Sequence, residues 1–172
     1  MPLSKDRMLR LGQAPKDLIG HWKEGVSLER DSGSTIEQLC LAVAAGRWLL
    51  AYDFRRHGNA LLTRTPPLFR SVISRYYYAM YHALRAASYI HTPGDDHEKH
   101  SVLPRNIPAD FPNRDDWSNQ LKSVREFRNQ ADYDPLPTGA ATWRDLALTI
   151  RPHVDKLLPV AKTYLTNKGC PL

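Results

Sequence analysis

The chain lacks a long hydrophobic run. No window approaches the roughly 20 apolar residues that a membrane helix needs, and the best stretch, Leu39 to Ala45, is cut off by Gly46 and Arg47. The opening residues, Met1 to Asp6, show no apolar core of a secretory leader. Cysteine is scarce: Cys40 and Cys170 stand alone, without the spacing of a metal or disulfide framework. Cys40 reads as a core thiol and Cys170 as a tail residue, and a reduced, cytoplasmic setting follows. Sustained period-two alternation is missing, so strands are not expected. There is also no GxSxG elbow, no Walker A loop and no glycine-rich dinucleotide fingerprint. Those absences remove the commonest hydrolase, nucleotidase and dehydrogenase classes, and the reading carries no cofactor.

What is present is ordinary apolar content in 172 residues, enough for one domain with one core, and a formal charge of +6. The charge tilts the chain towards an anionic partner without naming one. Residues 1–34 are polar, interrupted by Gly12, Pro15, Gly20, Gly25 and Gly33, and poorly periodic. They read as an irregular arm, with at most a short helical turn around Leu18, Ile19 and Trp22.

Residues 35–166 carry four amphipathic patterns, and 167–172 form a tail. The first helix follows an N-cap at Ser34 or Thr35. It places Ile36, Leu39, Cys40, Val43, Leu50 and Phe54 on one stripe and stops near Gly58. The second opens on Pro66 and Pro67, and its stripe is Phe69, Ile73, Tyr76, Met80, Ala83, Ala87 and Ile90. A proline-bearing loop spans 91–113. The third helix starts at Asp115 and Asp116 and runs to Tyr133, with Trp117, Leu121, Val124, Arg128 and Ala131 in line. The fourth begins near Thr142, where Thr142 and Asp145 have capping-box spacing. Its apolar face is Leu146, Ile150, Val154, Leu157, Ala161 and Tyr164, and Pro152 and Pro159 should kink or split it. The expected fold is all-α, an up-and-down four-helix bundle with an irregular N-terminal arm.

Two groups of side chains stand out. On the second helix Arg75, Tyr78, His82, Arg85 and Tyr89 recur at steps of three and four residues, which stacks them on one surface. Arginines interleaved with aromatics hold phosphates and stack bases; the same row also suits a partner-helix or dimer face. On the third helix Arg128 lies on or beside the apolar stripe. A buried charge needs a partner, and Asp132, one turn later, is in reach; alternatively Arg128 lines a cleft and takes a phosphate on its planar fork. His91, His97 and His100 share a loop with Asp95, Asp96 and Glu98, but no cysteine reinforces them and no metal site is expected.

Arg75-Tyr-Tyr-Tyr-Ala-Met-Tyr-His-Ala-Leu-Arg85 followed by Arg125-Glu-Phe-Arg-Asn-Gln-Ala-Asp-Tyr-Asp134 resembles the HEPN family of small helical bundles. There a tyrosine-rich "YYAMFHA" helix precedes a loop with a histidine, and a later helix ends in an arginine motif, often followed by "ADY". The likeness spans about residues 35–165, and His97 to Val102 matches the loop loosely. Catalytic members of the family resemble metal-independent endoribonucleases, often toxins or antiviral effectors, that pair as homodimers. Their motif is an arginine, four to six residues, then a histidine. Here Arg128 and the polar Asn129 are kept, but the histidine is missing, as in the "RNxADYD" subgroup.

The resemblance implies an RNA-directed site of Arg128, Asn129, Asp132 and Tyr133. Asp132 would serve as base, Tyr133 as donor and His82 as a supplement, and Arg75, Tyr78, Arg85 and Arg125 would contact RNA. It equally admits a non-catalytic module that binds RNA, a nucleotide or a partner, such as a cognate antitoxin or a nucleotidyltransferase.

Overall fold

A computed structural model describes residues 4–94, 100–135 and 139–172. The described residues form seven helices and no strand. They divide into two compact units, Met1–Leu39 and Cys40–Leu172. Among the described residues no helix is long and apolar enough to cross a membrane.

In the first unit the expected irregular arm is helical. Helix α1 (Lys5–Gly12) is capped by Ser4, whose hydroxyl accepts from the Arg7 N–H at 3.4 Å. Helix α2 (Lys16–Ser32) ends on Gly33 at φ 67°, whose N–H bonds the Glu29 carbonyl. Gly33 thus acts as a terminator, whereas α1 ends on Gln13 in a right-handed conformation, and Gly20 and Gly25 lie inside a helix at a cost of about 1 kcal/mol each relative to alanine. Neither helix buries a residue. Their apolar side chains, Met8, Leu11, Leu18, Trp22 and Val26 among them, are exposed, and the intervening glycines and Pro15 hide the helical spacing. Helix α3 (Ile36–Leu62) then starts with a reciprocal cap. Gln38 N–H donates to Thr35 Oγ1 at 3.3 Å and Thr35 N–H to Gln38 Oε1 at 2.9 Å.

In the second unit the central element is helix α4 (Phe69–His91), which packs against helices α6 (Arg114–Tyr133) and α7 (Ala140–Asn167). Its buried residues reach well beyond one face: Val72, Ile73, Tyr76, Tyr77, Met80, Leu84 and Ala87 share a face with almost no exposure, and Ala79, Ala86 and Tyr81 are buried on its flanks. A helix buried over so much of its circumference belongs inside a protein, with its Arg75–Tyr78–His82–Tyr89 stripe partly exposed. The prolines at 66 and 67 precede α4 instead of forming its first turn. The 91–113 loop contains a short helix α5 (Leu103–Asn106) and drops Leu103, Ile107 and Phe111 into the core.

Three other expectations change. Helix α3 does not stop at Gly58, and its inner face is Ala44, Ala45, Trp48, Ala51 and Gly58, while Val43 and Leu50 stay 44% and 42% exposed. Small residues face inward because a neighbour comes close. A Cβ at Gly58 would lie 2.6 Å from Tyr76 Cε1, and beside it the Tyr76 hydroxyl donates to Asn59 Oδ1 at 2.6 Å. Helix α7 starts at Ala140 with no side-chain cap, so Thr142 and Asp145 form no capping box, and it runs unbroken through both prolines. Pro152 and Pro159 stand seven residues apart on the exposed side, so the carbonyls they leave unbonded face water. Finally, the cysteines exchange roles. Cys170 is 5% exposed, held by its N–H to the Leu165 carbonyl, and burial pushes its thiol pKa up. Cys40 is only half-buried.

The Gly58–Tyr76 approach can be tested. Gly58→Ala should lower unfolding free energy by about 1–3 kcal/mol, because overpacking outweighs the better helix propensity of alanine. Urea denaturation reads this directly, and adding Tyr76→Leu should recover part of the loss.

Candidate functional site

The end of α6 is fastened to α4 by Arg70. Its Nε donates to the Ala131 carbonyl and its Nη2 to the Asp134 carbonyl at 3.0 Å, and its guanidinium lies over the Trp143 ring. Two orphan carbonyls at a helix C-terminus are thereby satisfied by one cation. The backbone of Asp132 and Tyr133 is bracketed between those bonds.

Inside that bracket sits Arg128. Its Nε is 2.8 Å from Asp132 Oδ2, an ion-pair contact in which the N–H is not aligned on the oxygen. Nη2 donates to the Tyr78 hydroxyl at 2.8 Å, and Nη1 reaches Asn129 Oδ1 at 3.3 Å and the Tyr133 hydroxyl at 3.5 Å. The guanidinium lies over two rings, 5.4 Å from the Tyr78 centroid and 5.3 Å from that of Tyr133. Burial disfavours the Arg128 charge, but Tyr78, Asp132 and Tyr133 outweigh it and hold the pKa above the usual arginine value. Ser74 Oγ adds a long bond to Asp132 at 3.4 Å.

The stack continues into α3 and α4. Tyr78 stacks on Phe54 at 5.3 Å, Phe54 lies parallel to His82 at 5.4 Å, and Arg75 caps the other face of the cluster 5.6 Å from Phe54. His82 Nδ1 is buried without a hydrogen bond. Burial first, then Arg85, Arg47 and His100, push its pKa down to about 4.

His100 comes from the loop. Its Nδ1 is 2.7 Å from the Tyr77 hydroxyl, and its ring is 4.4 Å from that of Tyr81. Its pKa is lowered by burial and by Arg128, Arg125 and Arg85, so the imidazole is a neutral group amid cations. Burial also raises the Tyr77 phenol, which stays protonated.

The structure therefore brings Arg128, Asn129, Asp132, Tyr133, Tyr78 and His100 together, with His82 behind Tyr78. Arg125 acts on His100 and Tyr77 through its charge, and its own nearest carboxylate, Glu126, is 3.9 Å away. Arg75 sits at the far end of the stack. Arg85 is 8% exposed over the Tyr81 ring, part of the interior rather than an outer face. The pairing of Arg128 with Asp132, one of two alternatives in the sequence, is present. His100 was not singled out as a site residue, because nothing in its spacing ties it to Tyr77 or Arg128. His97, Asp95, Asp96 and Glu98 lie outside the described residues. Among the described residues no group of three or more His, Cys, Asp or Glu could hold a metal ion.

No protein-family model, no curated protein and no solved structure matches the chain.

His82 makes a pH prediction. Its ordinary value of 6.5 exceeds its folded value of about 4, so between them the unfolded chain binds the extra proton. The contribution of neutral His82 is complete above 6.5 and is lost as pH falls towards 4. His82→Phe, which keeps the ring against Phe54, should flatten the decline in stability across that window. Denaturant midpoints measured along it check this, and an unchanged slope would remove His82 as its cause.

Proposed function

We propose that this chain is a HEPN-type protein that acts on RNA as a metal-independent endoribonuclease, working as a homodimer in a toxin–antitoxin or phage-defence setting. The four long helices α3, α4, α6 and α7 are read as the up-and-down bundle of that family. The observation that carries the proposal is that Arg128 and His100, from different segments, both meet Tyr78: Arg128 Nη2 donates to its hydroxyl at 2.8 Å, and the His100 ring stands edge-on to it at 5.9 Å. We read His100 as the stand-in for the motif histidine that the sequence lacks after Arg128.

The chemistry follows from the groups. Cleaving RNA without metal requires a base for the 2′-hydroxyl, a donor for the leaving 5′-oxygen and a cation for the charge that builds on phosphorus. Arg128 supplies the cation, and phosphate oxygens take over the long contacts that Nη1 makes to Asn129 and Tyr133. Asn129 then orients the phosphate. Neutral His100 is the base: in the tautomer with Nδ1–H donating to the Tyr77 oxygen, Nε2 is free to accept a proton. The protonated imidazole or the Tyr133 hydroxyl returns one to the leaving oxygen. Asp132, engaged with Arg128, positions the guanidinium.

A second reading is favoured by the same ion pair. With Nε on Asp132 and Nη2 on Tyr78, Arg128 is already tied across α6 and α4. A non-catalytic module that binds RNA, a nucleotide, or a partner such as an antitoxin or nucleotidyltransferase needs no more than this.

The test is incubation of the pure protein with total RNA and tRNA in EDTA, beside Arg128→Ala and His100→Ala. Wild type should cleave, and each variant, assayed well below its own Tm, should lose about 100-fold or more in rate while still folded. Absence of cleavage by wild type, with a drop in Tm for Arg128→Ala, supports the second reading.

A further inference from the structure

Tyr133 differs from every other aromatic in the cluster: it is 71% exposed. Tyr77 and Tyr81 are buried, and Tyr78 is half-covered. One side of its ring is taken by the Arg128 guanidinium, 5.3 Å from the centroid, with Nη1 3.5 Å from its hydroxyl. Given its exposure, the outer face of the ring is open. An exposed tyrosine is usually a mobile one, with rotamer entropy to lose on binding. Here the backbone is pinned on both sides, since Arg70 bonds the carbonyls of Ala131 and Asp134. The ring is also stacked on a cation that is itself stacked on Tyr78. The result is a flat, held, open aromatic surface beside the group best suited to a phosphate.

We propose that Tyr133 forms a base-stacking subsite, its outer face taking an unpaired nucleobase while Arg128 holds a phosphate of the same strand. This rests on the RNA reading above and extends it from the phosphate to the base. Stacking on an aromatic ring tolerates any base, because every base has a π-face. A paired base inside a duplex offers no such face, so the subsite selects single-stranded or looped-out nucleotides. The guanidinium behind the ring strengthens the platform through cation–π contact.

The probe is a short single-stranded RNA with 2′-O-methyl riboses, which cannot be cleaved, carrying a fluorescent purine whose emission is quenched on stacking. The same sequence closed into a duplex is the control. Wild type should bind the single strand with quenching and favour it over the duplex. Tyr133→Leu should weaken single-strand binding about tenfold, the stacking loss for one base, and abolish the quench, leaving duplex binding unchanged. Tyr133→Phe keeps the ring and should stay within about twofold of wild type. Equal or tighter binding by Tyr133→Leu, with the quench retained, makes the ring a mere cover over Arg128 and overturns the subsite while the RNA reading stands. No binding of either RNA by wild type overturns both.

Discussion

Helix α4 buries 14 of its 23 residues, and the rest of the second unit follows from that constraint. With Tyr76, Tyr77, Met80 and Leu84 buried on one face and Ala79, Tyr81 and Ala86 buried on its flanks, it must be enclosed by neighbours. Those neighbours must supply small side chains wherever a tyrosine approaches. Gly58 answers Tyr76, and Ala44, Ala45 and Ala51 allow α3 to lie close. Each tyrosine also carries a hydroxyl that cannot be left dry and unbonded. Tyr76 reaches Asn59, Tyr77 reaches His100, and Tyr78 reaches Arg128. Packing the tyrosine row thus draws a loop histidine and an α6 arginine to the same place.

Placing cations and imidazoles together sets their chemistry. His82 and His100 stay neutral because burial and surrounding arginines oppose a further positive charge. Arg128 stays charged because a carboxylate and electron-rich rings surround it. A neutral imidazole and a fixed cation thus share Tyr78 as a neighbour. Tyr133, at the outer end, joins that pair to the surface.

Much of the fold was legible where burial and period coincide. The α4 stripe from Ile73 to Ala87, the Trp117–Leu121–Val124–Ala131 line and the Ile150–Val154–Leu157–Ala161 face are all buried, with Phe69 and Ile90 half-buried at the stripe's ends, since large apolar residues at helical spacing leave little choice. The readings that missed had other causes. Helices α1 and α2 carry apolar residues at helical spacing, Met8 and Leu11 and then Leu18, Trp22 and Val26, but Gly12, Pro15, Gly20 and Gly25 interrupt the pattern and none of these residues is buried. On α3 the small residues mark the inside, and the large Val43 and Leu50 mislead. Prolines on a wet face do not break α7. Arg128 was legible as a charge on an apolar stripe, and its pairing with Asp132 as an i,i+4 contact. The place of His100 was not, because it arrives through a loop and only the folded tyrosine row gives it an address.

The contacts round Arg128 have a directional consequence. Nε faces Asp132 and Nη2 holds Tyr78, both at 2.8 Å, while Nη1 makes only the long contacts to Asn129 and Tyr133. Any anion that reaches the cation therefore comes in at Nη1, past the exposed Tyr133 ring, and displaces the weakest contacts first. The two short contacts keep the rest of the fork in place, so what arrives meets one edge of the guanidinium rather than its whole rim.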